Sequence, residues 1–127
     1  MSGLKILLID DDEDLRDVLS WALNAEGYHI ESFDNPISAL EFLSQTKEIP
    51  GMILSDYQMS QMKSLDLMES RQKFHITDVP LLFLTAAPNI VKEEVDQSLY
   101  SEIITKPLDL ESLISKVNKY IENPQKS

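Results

Sequence analysis

Two hydrophobic rhythms alternate along this chain. Residues 5–10 open with the unbroken apolar run Ile6-Leu7-Leu8-Ile9 and close on acids. Such a run suits a strand covered on both faces, as in a parallel sheet. Residues 12–26 then switch to helical spacing. Leu15, Val18, Leu19, Ala22 and Leu23 form the predicted stripe, and Gly27 stops the helix from the position just beyond its end. Residues 28–33 read as a short, half-polar edge strand. Asn35-Pro36 starts a second helix, with Asn as its N-cap and Pro in its first turn.

The alternation continues. Pro50-Gly51 breaks the chain before a third strand, residues 52–55, which ends at Asp56. A polar loop and a weakly patterned helix over 64–74 follow. Residues 80–85 form a fourth strand around Leu81-Leu82-Phe83-Leu84. Residues 88–99 predict a helix with a thin stripe of Val91, Val95 and Leu99, and 102–105 a fifth strand. Asp109 is the expected cap of a last helix carrying Leu110, Leu113, Ile114, Val117 and Ile121, which Asn123-Pro124 ends. Strands alternating with helices define an α/β fold with helices on both faces of a parallel sheet.

Length sets the domain count. At about 150 residues per domain, 127 residues make one. The core is expected over 5–121, with 123–127 a polar tail. Lys and Arg number 11 against 22 Asp and Glu, a net charge of −11. That surface repels phosphate backbones and anionic lipid, so direct nucleic-acid or membrane binding is not expected. Cysteine is absent, which excludes disulfides and thiolate zinc sites and fits a reducing compartment. The early apolar run is too short for a signal or spanning segment, so a cytoplasmic location is expected. Glycine occurs only at 3, 27 and 51, which excludes glycine-rich phosphate loops.

Ligands on open parallel sheets bind beyond the carboxyl ends of the strands. Those ends carry Asp10-Asp11, Asp56, Thr85 and Lys106-Pro107. Three carboxylates, a hydroxyl and an ammonium should therefore share one rim, with Asp56 expected deepest. At ~4 Å and an effective dielectric near ~20, each carboxylate pair repels by roughly 4 kcal/mol before screening. A hard divalent cation relieves this, and Mg²⁺ suits one or two carboxylates, water and a phosphate. Lys106 and Thr85 offer donors for phosphoryl oxygens, and a carboxylate such as Asp56 can act as nucleophile.

The stretches Ile6-Leu7-Leu8-Ile9-Asp10-Asp11, Leu54-Ser55-Asp56, Leu84-Thr85-Ala86 and Thr105-Lys106-Pro107 carry a resemblance. Over residues 5–120 the chain resembles the receiver domain of two-component response regulators, of the chemotaxis-receiver type. The resemblance implies a flavodoxin-like three-layer sandwich with strand order 2-1-3-4-5 and five helices. It makes Asp56 the phosphoacceptor and Asp11 a direct Mg²⁺ ligand, with Asp10 acting mainly through water. It makes the backbone carbonyl of Gln58 a further ligand. Lys106 pairs with Asp56 and then with the phosphoryl group, toward which the Thr85 hydroxyl swings. It implies a cis peptide at Pro107. It further implies phosphoryl transfer from a histidine kinase or histidine phosphotransfer protein, slow loss of the phosphoryl to water, and a switch in binding to a downstream protein. A homodimer is compatible with it.

The chain departs from the family in places. Met59-Ser60 and Lys63-Ser64 stand where Met-Pro and Asp-Gly are usual, Leu99-Tyr100 replaces Gly-Ala, and Ile103 holds the aromatic switch position. These departures touch readout rather than the acid, metal and lysine set. Lys63 is expected near the pocket mouth. Asp12, Glu13 and Asp14 read as ordinary acids at a helix start. Trp21 lies off its stripe, on a helix where phosphodonors dock in receivers. His29 and His75 read as surface residues, and Met59, Met62 and Met68 as gap fillers. Two other classes share parts of this pattern: a phosphorylation-independent pseudo-receiver, and an Mg²⁺-dependent phosphohydrolase of the haloacid type. The second carries its nucleophile after the first strand, whereas here it follows the third.

Overall fold

The computed structural model describes residues 5–57 and 78–121. Its five strands are β1 (Lys5–Ile9), β2 (His29–Phe33), β3 (Met52–Asp56), β4 (Leu81–Thr85) and β5 (Glu102–Thr105). They form one parallel sheet in the order β2-β1-β3-β4-β5. Four α-helices are described: α1 (Glu13–Ala25), α2 (Pro36–Gln45), α3 (Pro88–Glu94) and α4 (Leu110–Tyr120). The helix expected over 64–74 lies outside the described residues, as do Gln58, Met59, Ser60, Met62, Lys63, Ser64, Met68 and His75.

Strand periodicity builds the layers. Successive side chains point to opposite faces, so one run of apolar residues feeds two cores. Ile6, Leu8, Met52, Leu54, Leu82, Leu84 and Ile104 pack with Leu19 and Leu23 of α1 and Leu113 and Val117 of α4. Leu7, Ile9, Ile53, Leu81 and Phe83 pack on the other face with Ala39 and Leu43 of α2 and Val91 of α3. The result is the expected three-layer sandwich. Burying each such Leu or Ile contributes roughly 1.5–3 kcal/mol, which is why the central strands tolerate few polar positions.

Local chemistry sets the helix ends. The Asp12 side chain accepts from the Leu15 amide at 3.2 Å, and the Asn35 side chain accepts from Ser38 at 2.8 Å with Pro36 in the first turn. Gly27 sits at φ 99°, in the left-handed region that terminates α1. Asp109 occupies the cap position of α4, but its side chain makes no capping hydrogen bond, contrary to expectation.

Two helical readings need correction. Val18 is 45% exposed, so it stands outside the α1 stripe that buries Leu19, Ala22 and Leu23. The helix expected over 88–99 breaks at Val95, which is extended at φ −122°, ψ 131°. The Asp96 side chain accepts from the Ser98 amide and starts a separate 3₁₀ turn, Gln97–Leu99. A short acid bonding its own downstream backbone competes with helix continuation there. Leu99 is consequently exposed rather than part of a stripe.

Charge lines both outer strands. On β2, Glu31 pairs with Lys5 at 3.8 Å and with exposed His29 at 3.2 Å, and Lys5 also reaches Glu48 at 3.3 Å. On β5, Glu102 faces Lys116 and Lys119, each at 3.8 Å, and accepts from the Tyr120 hydroxyl at 2.6 Å. Tyr57 donates to Glu94 of α3 and packs edge-on against Phe83 at 5.2 Å, which in turn meets Tyr100 at 5.8 Å. Ile103 packs partly buried against the same core.

Tyr28 ties α1's end to α4. It is buried, its hydroxyl donates to Asn118, and burial together with the charge of Glu26 pushes its pKa up to about 12. A phenol raised above its ordinary value of 10.0 stabilises the fold fully below pH 10 and loses that contribution as pH climbs through about 12. Two pKa steps correspond to about 2–3 kcal/mol. Urea denaturation between pH 10 and 12 should show wild type losing about 2 kcal/mol more stability than Tyr28→Phe; equal losses would contradict the assignment.

Candidate functional site

Parallel pairing puts all carboxyl ends on one rim. The register aligns Ile9 with Ser55, Asp56 with Leu84, and Thr85 with Thr105. The residues immediately following these ends are thereby brought level. Backbone ladders run on into the rim: Asp10 N–H donates to Phe33 O at 3.1 Å, Tyr57 N–H to Leu84 O at 3.0 Å, and Lys106 N–H to Thr85 O at 2.8 Å. The Lys106-Pro107 peptide is cis, as expected.

The structure brings the strand-end residues together. One carboxylate oxygen from each of Asp10, Asp11 and Asp56 lies within 4.8 Å of the others. Lys106 Nζ lies 3.0 Å from Asp10 Oδ2 and 3.5 Å from Asp56 Oδ2. Asp10, not Asp56, is the deepest acid: it is 0% exposed against 9%. The reason is local. Asp10 turns its Oδ1 back to accept from the Asp12 amide at 2.9 Å and offers Oδ2 to Lys106, so both oxygens are used inside the fold. Lys106 therefore pairs with Asp56, as expected, and sits closer still to Asp10.

Burial raises the Asp10 pKa above the ordinary carboxylate value, against the lowering effects of the Asp12 amide and Lys106. Burial pulls Lys106 down, but its bond to Asp10 and the charges of Asp56 and Asp10 outweigh it, so its pKa is raised. Lys106 is thus held as a cation. Three anions face one cation, and the residual negative charge is what a divalent ion would neutralise. The oxygen-only donor set suits a hard ion such as Mg²⁺.

Thr85 is almost fully buried at the end of β4, and its Oγ1 accepts from the Ala87 amide at 2.9 Å. A hydroxyl that accepts one bond still has its O–H to donate. Trp21 is 72% exposed on α1. Arg16, not among the residues expected at the site, donates from Nη1 to the Asp10 carbonyl at 2.7 Å. Its signal was available: Arg16 is the one cation inside the run from Asp10 to Asp17.

An open parallel sheet whose ionisable groups cluster between the ends of β1 and β3 is a flavodoxin-like protein with its site at the topological switch point. The chain belongs to the response regulator receiver domain family, whose model matches residues 6–118. It is 30% identical over 118 residues to the response regulator receiver protein CpdR of Brucella abortus, covering 92% of this chain and 96% of that one. The chemotaxis protein CheY4 of Vibrio cholerae superposes with a TM-score of 0.82 at 24% identity, over 94% of this chain and 100% of that one. The response regulator TrrA of Thermotoga maritima, solved in complex with Mg²⁺ and BeF, gives 0.77 at 25% identity, over 93% and 99%. Receiver domains are phosphoacceptors in two-component signalling and interact with histidine kinases or phosphotransfer proteins.

Crowded acids make a stability prediction. In EDTA, Asp56→Asn should melt a few degrees above wild type, since about 1 kcal/mol of relieved repulsion shifts a domain of this size by roughly 4 °C. Millimolar Mg²⁺ should raise the wild-type melting temperature by mass action and leave the variant nearly unmoved. Scanning calorimetry with both proteins checks this, and an unresponsive wild type would contradict it.

Proposed function

We propose that this chain accepts a phosphoryl group from phosphohistidine onto Asp56 in an Mg²⁺-dependent step, and that the phosphorylated form changes its affinity for a downstream protein. The observation that carries this reading is Lys106 placed between Asp10 and Asp56 beside a three-carboxylate cluster. Asp11 and Asp56 would hold the ion directly and Asp10 mainly through water, and the Gln58 carbonyl, outside the described residues, completes the set that the family resemblance implies. When bound, Mg²⁺ supplies positive charge to the phosphoryl oxygens and screens the acids from one another.

The protein's own groups do the rest. An Asp56 carboxylate oxygen attacks phosphorus in line with the leaving imidazole nitrogen. The P–O bond forms, the P–N bond breaks, and the imidazole keeps the electron pair. Lys106 moves its charge toward an equatorial phosphoryl oxygen, where a preorganised cation is most effective. Thr85 donates its O–H to a second oxygen, drawing the end of β4 toward the rim. Water later cleaves the acyl phosphate and returns the carboxylate. The phosphoryl group adds charge next to Tyr57, and the α3–β5 flank reads that change. The exposed Trp21 of α1 serves as a contact for the phosphodonor.

Acetyl phosphate with Mg²⁺ should add one phosphoryl group to the intact mass of wild type and none to Asp56→Asn. Lys106→Ala should slow labelling about 100-fold, the scale for removing one transition-state donor. A wild type that stays unlabelled by acetyl phosphate and by a phosphorylated histidine donor would overturn the reading in favour of a phosphorylation-independent interaction module.

A further inference from the structure

We infer that Arg16 is a positioning residue for the cation site, aiming the Asp11 carboxylate by clamping the peptide that carries it. This inference rests on the magnesium reading above. The acids differ in how they are held. Asp10 is locked by Lys106 and the Asp12 amide. Asp56 is fixed at the end of a central strand, with Lys106 beside it. Asp11 is exposed, and its carboxylate makes no hydrogen bond or ion pair among the described residues. Its direction is therefore set by its backbone.

That backbone is held from several sides. Asp10 N–H is tied to Phe33 at 3.1 Å, and Arg16 N–H to Asp12 O at 3.0 Å at the start of α1. Between these ties lies the Asp10–Asp11 peptide, and its carbonyl oxygen is the atom that Arg16 Nη1 grips at 2.7 Å. Holding that carbonyl fixes the peptide plane, which restricts ψ of Asp10 and φ of Asp11. The Cβ of Asp11 then points in one direction. Groups just outside the ligand set that orient a ligand in this way are worth 10- to 100-fold in metal affinity.

The choice of partner atom matters. Arg16 makes no ion pair with a described carboxylate. A guanidinium bound to the acids themselves would occupy the lone pairs that the metal needs. Bound to a carbonyl, it orders the turn and leaves those lone pairs available. Charge alone would give Arg16 the opposite effect, because a fixed cation beside a cation site repels the incoming ion. The sign of the affinity change therefore separates positioning from electrostatics.

Titration calorimetry with MgCl₂ on the purified chain tests it. Arg16→Met should raise the Mg²⁺ dissociation constant about tenfold. Arg16→Lys, which keeps the charge and one donor, should fall between this variant and wild type, and it provides the reading if Arg16→Met does not fold. Leu113→Ala, a buried change in α4 away from the rim, should lower the melting temperature while keeping the constant within about twofold of wild type. Unchanged or tighter binding in Arg16→Met and Arg16→Lys would overturn the inference while wild-type binding keeps the magnesium reading. A wild type that binds no Mg²⁺ would overturn both.

Discussion

The confinement of like charges at one edge of a parallel sheet governs this structure. Three carboxylates approach within 4.8 Å, and one lysine offsets only part of their repulsion. Such a rim can be assembled only by a fold that has stability to spare elsewhere. The two layers of Leu, Ile and Val on either side of β1, β3 and β4 supply it. Lys106 has a mechanical as well as an electrical role. It follows β5 yet bonds the acid that follows β1, so it ties together chain segments that leave non-adjacent strands of the sheet.

The division of labour among the acids follows from their depth. Asp10 has spent both oxygens on the fold and sits in a dry environment that raises its pKa. Asp11 is at the mouth. Asp56 lies between them, near enough to the lysine to share its charge and open enough to be reached. One residue type thus occupies three depths on the rim: Asp10 sealed in the fold, Asp56 nearly buried beside the lysine, and Asp11 exposed. Thr85 completes the rim from β4, the strand that also carries Phe83 against Tyr57 and Tyr100. The rim and the aromatic flank thus share a strand, and Ile103 takes a packed place on that flank without an aromatic ring.

Much of this was legible in the order of residues. Continuous apolar runs closing on Asp10, Asp56 and Thr85 identified the buried strands, because a strand covered on both faces cannot alternate. The caps at Asn35 and Gly27 were legible because each has a local, nameable bonding partner or backbone angle, whereas Asp12 read only as an acid at a helix start. What was not legible depended on competition or on distance. Asp96 bends the chain out of a helix whose apolar spacing alone would have continued to Leu99. Val18 fits the apolar spacing but faces away from the core, about 100° around the helix from Leu19. The relative depth of Asp10 and Asp56 depends on which of them meets the Asp12 amide, and no spacing rule states that. Arg16 was hidden because its partner is a carbonyl, which every residue has.

The ion pairs along the two outer strands have a bearing on how this molecule behaves in a crowd. An open sheet ends in two rows of unsatisfied peptide groups, and each row invites a neighbour to extend it. Here β2 meets any newcomer with His29, Glu31 and the ammonium of Lys5, and β5 presents Glu102 under the paired lysines of α4. Lateral docking of another strand would have to strip water from these groups and dismantle their pairings. The borders of the sheet are thus closed by charge where no further strand closes them, which disfavours ribbon-like growth of one copy upon the next.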